Sequence, residues 1–404
     1  MKVGRWIYLF VVAMSILCAG SEASLGAEKE PVAVGCVVSL TGYLSEQAQN
    51  MAEGLEFAID DLNARGGLLG RKLKGYIRDD EMKPPVGARR FEELVKNQGI
   101  VMHSGVVHGA VAMSIQQTNK QLGIILLQSN ITPDYQAPKT MQANLFFIGS
   151  SLEAFGLAGG EYAAQNLGKK AFLLYPDYSF GWSIRDAFMK SIPANGGEII
   201  GSIPVPSGTT DFAPFLTQIL AKKPDYAVFI VNGMMFVNSM KQAYTMGLKE
   251  KMKIVSTHAS IEEVAGCGPE VIQDVILISD YFWNIPSETN KIFVEKFKKK
   301  YGNDKAPSMR HYYQYAGLNM WADVVKKVGT LEPKAVAAAF LGLKGDYGKG
   351  ELEVRNTGDH TTIQPIVIVR GKGPKEMKDK LDTQEVLKMV RGEKYYYSAK
   401  EKGW

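Results

Sequence analysis

The feature that most constrains this chain is an alternation of short β-branched runs with apolar stripes at helical spacing, begun near residue 32 and begun again near residue 171. Val32 to Val38 reads as a strand. Met51, Leu55, Ala58, Ile59 and Leu62 then fall on one face of a helix, and the glycine pair Gly66 and Gly67 stops it. Further strands are predicted at Leu73 to Arg78, Ile100 to His103 and Ile124 to Leu127. One helix opens at Pro84 and Pro85, and another runs from Ala110 to Gln121. The second round predicts strands at Ala171 to Tyr175, Ile199 to Val205, Tyr226 to Val231, near Ile254 and at Val275 to Ser279, with helices between them. Repeated strand-helix units imply a parallel sheet covered on both faces.

Two rounds imply two doubly wound α/β domains, and 404 residues are too many for one hydrophobic core. Three helical stretches follow residue 287. Strands are then predicted at Glu351 to Arg355 and Thr362 to Val369, which must join sheets already begun. Each domain is therefore expected to be discontinuous: residues 31–149 plus 281–352 in one, 150–280 plus 353–404 in the other. No Pro-, Gly- or Ser-rich tether separates them, so several short crossovers should form the hinge. In the tail, Val386, Leu387, Met389 and Val390 suggest one more helix, packed on the second domain.

Lys2 and Arg5 precede an apolar stretch from Trp6 to Ala19, followed by small residues through Ala27. This is the order of a cleaved export signal over residues 1–27, too short to span a bilayer comfortably. The mature protein is expected outside the cytoplasm, in the periplasm. Lipid attachment at Cys18 is disfavoured by Leu17, because that position wants a small residue. Cys36 lies in an apolar strand and reads as a packed thiol, so no disulfide with Cys267 is expected.

The chemistry is narrowed by what the loops lack. A net charge of +5, left over from 47 basic and 42 acidic side chains without a long run of one sign, gives no case for nucleic acid. The first strand-helix turn reads Ser39, Leu40, Thr41, Gly42, Tyr43, with no dinucleotide or phosphate cradle. The five histidines never take metal-ligand spacing, and there is no GxSxG elbow. Neither cofactor, metal nor catalytic residue is expected, and binding is the simpler reading. The loops Ser104 to Gly109 and Gln128 to Pro133 leave strand ends, where backbone N–H groups and the Thr132 hydroxyl suit a carboxylate or other polar head; alternatively Thr132 only caps its own turn.

Several segments together resemble the periplasmic solute-binding proteins of the branched-chain amino acid transport type, with the type I binding-protein fold. They are Ser39-Leu40-Thr41-Gly42, Asp60 through Gly67 with Gly70-Arg71, Asp79-Asp80, Thr210-Asp211-Phe212, Lys241-Gln242-Ala243, Gly247-Leu248 and Tyr315 to Leu318. The resemblance implies two lobes that close on a small-molecule ligand and deliver it to the membrane permease of an ABC importer, as a monomer and without catalysis. It also implies a site. The carboxylate-holding positions fall at Gly109, beside His108, and at Thr132; a backbone carbonyl at Asn130 and an acidic position near His258 hold an ammonium; Phe180 and Asn232 cover the ligand. Tyr43 and Tyr281 add aromatic walls.

This chain departs from that pattern at Gly109, Asn232 and His258. Losing the buried carboxylate that pairs an ammonium costs roughly 3–5 kcal/mol, more than a hundredfold in affinity. A carboxylate or amide with an apolar or aromatic body is therefore expected, with an aliphatic amino acid as the alternative if Glu262 or Glu263 supplies the acid. A sensor domain presented to a membrane signalling partner is a further alternative. Arg185, Arg310 and His311 are further candidates for holding an anion, but each reads better as solvated helix surface.

Overall fold

The computed structural model describes residues 29–42, 44–129 and 133–404. The export signal, Cys18, Tyr43, Asn130 and Thr132 lie outside the described residues. The first round comprises β1 (Val32–Val38), α1 (Ser45–Ala64), β2 (Leu73–Asp79), α2 (Pro84–Gln98), β3 (Met102–Gly105), α3 (Gly109–Leu122), β4 (Ile125–Gln128) and β5 (Leu145–Phe147). Its sheet runs β2-β1-β3-β4-β5, parallel throughout. β1 is buried along its whole length, which is why it reads as a continuous apolar run rather than an alternation. Gly67 lies in the turn that follows α1 with φ of 75°, and a Cβ there would stand 2.1 Å from the Arg71 carbonyl oxygen.

The second round comprises α4 (Leu152–Asn166), β6 (Lys170–Pro176), α5 (Ser179–Ala194), β7 (Glu198–Val205), α6 (Ala213–Lys222), β8 (Tyr226–Phe229), α7 (Gly233–Thr245), β9 (Lys253–Thr257), α8 (Ile261–Cys267), α9 (Pro269–Ile272) and β10 (Ile276–Ser279). The chain continues through α10 (Glu288–Tyr301), α11 (Met309–Val328) and α12 (Pro333–Phe340). It ends in β11 (Lys344–Asp346), β12 (Glu351–Val354), β13 (Thr362–Ile363), β14 (Ile366–Gly371) and β15 (Gln384–Val390). The helices after residue 287 return to the first sheet. A Cβ on Gly54 of α1 would meet His311 Cα of α11 at 2.8 Å, and Phe340 of α12 stacks on Phe146 of β5 at 4.5 Å.

Three expectations are corrected. The run Thr362 to Val369 is broken in two at Pro365, which has no N–H to give a ladder. β11, β12 and β13 form a small sheet of their own rather than joining an earlier one. The tail segment expected to be a helix is β15, paired antiparallel with β14, which is itself antiparallel to β10. The second sheet is thus β15-β14-β10-β9-β8-β6-β7, parallel except at the β14 and β15 edge, and the tail does pack on it. Cys36 and Cys267 are buried and unpaired with each other.

Candidate functional site

A cavity of about 390 Å³ lies between the strand-end loops of the two sheets. Most of its wall is made of helix beginnings. Leu44 and Gln47 belong to the start of α1, His108, Gly109 and Ala110 to α3, Leu152 to α4, Tyr178, Ser179 and Phe180 to α5, Asn232 to α7 and Arg310 to α11. Six helices therefore turn the positive ends of their dipoles toward one space, although the first N–H groups of α7 and α11 are already capped by Glu263 and Ser308. Strand ends and crossovers supply Ser129, Ser150, Ser207 and His258.

His258 is held at the second sheet's end with φ of 62°, a left-handed backbone uncommon outside glycine. Its N–H donates to the Ile278 carbonyl at 2.8 Å. The ring meets Phe155 edge-on at 5.3 Å and Phe180 at 5.8 Å. Burial, then the positive charge of Arg310, pushes its pKa down to about 3, so the ring is a neutral hydrogen-bonding group.

Arg310 is only 8% exposed. Its guanidinium donates to Gln47 Oε1 at 3.0 Å and lies over the Tyr313 ring, 5.7 Å from the centroid. Among the described residues no carboxylate stands within ion-pairing distance of it and no Asp or Glu lines the cavity. The reading of Arg310 as solvated helix surface is therefore corrected. Ser308 and His311 cap α11 through a reciprocal pair of bonds, which fixes Arg310 in the first turn, and that capping pattern was the sequence signal available for it. His311 faces Glu53, 3.5 Å away, and Arg185 pairs with Asp186 at 2.6 Å; neither lines the cavity.

The structure brings His108, Gly109, Phe180, Asn232 and His258 together around this space, and Tyr178 stacks on Phe180 at 5.9 Å. Tyr281 is not among them. It is buried in the core, parallel to Tyr312 at 4.6 Å, with its hydroxyl donating to Asn290 Oδ1, because the crossover after β10 turns it away from the cleft. Glu263 is likewise engaged elsewhere: its carboxylate accepts from the Ser260 N–H at 2.7 Å and the Gly233 N–H at 2.5 Å, capping α8 and α7, while Glu262 accepts from Asn50 at 2.9 Å. Burial raises the Glu263 pKa to about 7.

Behind the cavity the crossovers converge on Asp280. Its carboxylate accepts from the Ser150 N–H and hydroxyl, from the Tyr313 hydroxyl and from Lys349. On another side, Gln136 follows cavity-lining Tyr135. Its side-chain oxygen accepts from Lys402 Nζ at 2.7 Å, and its carbonyl accepts from Trp404 Nε1 at 2.8 Å.

A sequence profile described as periplasmic binding protein matches residues 31–377. The chain belongs to the periplasmic binding protein family. This periplasmic binding protein is 25% identical over 203 residues to a Leu/Ile/Val-binding protein of Rhizobium johnstonii; the match covers 49% of this chain and 54% of that relative, so the chain spans about half the length of it. Its fold is shared with an amino acid ABC transporter substrate-binding protein from Pseudomonas fluorescens Pf-5, at a TM-score of 0.83 and 23% identity over 91% of this chain and 97% of that one. It is shared also with a solute-binding protein of an ABC transporter from Rhodopseudomonas palustris BisB5 solved in complex with 3,4-dihydroxybenzoic acid, at a TM-score of 0.79 and 23% identity over 90% and 98%.

Proposed function

We propose that this chain is the solute-binding component of an ABC importer. In this reading it is exported to the periplasm through a cleaved signal peptide and works as a monomer that captures a small organic carboxylate or amide with an apolar or aromatic body. The lobes are residues 31–149 plus 281–352 and 150–280 plus 353–404, and the solute leaves unaltered to the membrane permease. The observation that carries this reading is the cavity itself, walled from both sheets by helix beginnings and by Tyr178 and Phe180. Contacts made to both walls exist only when the lobes are closed, so the ligand stabilises closure. Tyr43, Asn130 and Thr132 complete the site in this reading. The Rhodopseudomonas palustris relative holds an aromatic acid, in keeping with such a body.

A branched-chain amino acid is the second reading, favoured by the name of the Rhizobium johnstonii relative. Thermal-shift screening with benzoate, benzamide, leucine and phenylalanine tests the class, since a ligand at a hundred times its Kd adds about 2.7 kcal/mol. Scattering should report a more compact particle with the binder, and mass spectrometry should recover that binder intact. Turnover of the compound, or no change in compactness with any tight binder, would falsify the proposal.

A further inference from the structure

We infer that Arg310 makes this cavity selective for a solute of net negative charge, an aromatic carboxylate that carries no ammonium group. The inference rests on the binding-protein reading above and narrows it, because that reading admits amides and amino acids equally.

Arg310 is the only Arg, Lys, Asp or Glu among the described residues that line this space. A guanidinium cannot lose its proton, and a buried one demands an anion or strong acceptors. Arg310 bonds the neutral Gln47 oxygen and lies over the face of Tyr313, and no carboxylate among the described residues pairs with it directly; Glu46, Glu262 and Glu263 line an adjoining cavity that Arg310 also borders, not this one. The helix beginnings around it, apart from α7 whose first N–H is held by Glu263, add partial positive charge of the same sign. His258 adds none, being a neutral ring between Phe155 and Phe180. The nearby acid, Glu263, has both carboxylate oxygens taken by backbone N–H groups of Ser260 and Gly233. An ammonium entering this space would meet a guanidinium and helix beginnings, with no carboxylate on the cavity wall to pair with. An amide would leave the guanidinium unneutralised. A carboxylate pairs with Arg310 by two parallel N–H bonds and removes the imbalance.

The body of the solute is read from the rest of the wall. Tyr178 and Phe180 stack on each other there, and Leu44, Val107, Tyr135 and Leu152 complete an apolar surface. A planar ring packs against such aromatic and aliphatic surface.

Isothermal titration of the full mature chain with benzoate, benzamide, phenylalanine and leucine, paired with scattering of each mixture, tests the inference. Benzoate is expected to bind at least about a hundredfold more tightly than benzamide or phenylalanine. Arg310→Gln should lose about that factor for benzoate and bring benzoate and benzamide within tenfold of each other, whereas Arg310→Lys should keep part of the preference. Circular dichroism establishes that each variant folds, and the wild-type panel decides the matter even where Arg310→Gln does not fold. Phenylalanine or leucine binding as tightly as benzoate, or Arg310→Gln keeping the benzoate preference, overturns the charge selectivity while lobe closure by the better binder leaves the binding-protein reading intact. A panel in which no compound binds or compacts the particle overturns both.

Discussion

Lys349 Nζ lies 2.5 Å from Asp280 Oδ1, and neither side chain has any exposed surface. The pair sits where the chain passes between the two sheets: Asp280 follows β10, Lys349 follows β11, and Ser150, which bonds Asp280, precedes α4. The nearby ammonium and the Ser150 donors keep the Asp280 carboxyl below its usual range against the opposing effect of burial. Lys349→Met alone should destabilise the protein by about 3–5 kcal/mol, because it leaves a buried charge unpaired. The double variant Asp280→Asn, Lys349→Met should recover most of that loss. Equilibrium unfolding in urea measures both, and a double variant as unstable as the single one would count against the account.

Stability should fall on the acid side, and the sign follows from protons bound. His103 and His258 are both pushed down to about 3, chiefly by burial, so between pH 6.5 and 3 the unfolded chain binds more protons at these sites than the folded one. Each then costs about 1.4 kcal/mol of stability for each pH unit lowered. Glu263 acts the other way between its ordinary 4.5 and about 7, so the decline steepens below pH 4.5. The charged groups that bear on His258 are Arg310 and Asp280. His258→Gln should remove one proton's worth of slope between pH 6.5 and 3. Urea midpoints over that range check it.

Asn50 of α1 donates to Glu262 of α8 at 2.9 Å, a bond between helices of the two sheets that exists only while the lobes face each other closely. Asn50→Leu should therefore speed solute release roughly two- to tenfold, the worth of one net hydrogen bond, and leave unfolding nearly unchanged. Stopped-flow displacement of the bound compound reads the rate. An unchanged release rate would show that the bond does not hold the closed form.

Gly181 follows Phe180 in α5, and a Cβ there would stand 2.0 Å from the Pro176 carbonyl oxygen. Gly181→Ala must push the start of α5 away from β6 and carry Phe180 with it. A loss of about 1–3 kcal/mol in stability is expected, with weaker binding of any aromatic solute. Titration and thermal melts of the variant measure both effects.

The fold was legible where local pattern and burial agree. β1 occupies Val32–Val38 as its apolar run implies, and α2 opens at Pro84, whose missing N–H costs nothing in a first turn. It was illegible where pairing is distant. Val386 and Val390 are the spacing of a helix face, yet the segment is an edge strand because β14 supplies a ladder that no local signal announces. The site divides in the same way. His108, Phe180 and His258 sit at strand ends and helix starts, positions that the order of elements dictates. Arg310 was obscured because its burial depends on Gln47, which lies far away in sequence and is brought close by the tight approach of α1 and α11 at Gly54. Tyr281 was misplaced because a crossover's direction of turn is set by core packing and not by its own residues.

The grip of Lys402 and Trp404 on Gln136 has a practical bearing on how this protein is handled. Tyr135, the neighbour of Gln136, faces the solute space, so a purification handle or sensor-chip anchor fused behind Trp404 loads a wall of the compartment being assayed. A fluorophore on the exposed outer face of α5, at Met189 for instance, leaves that wall at rest.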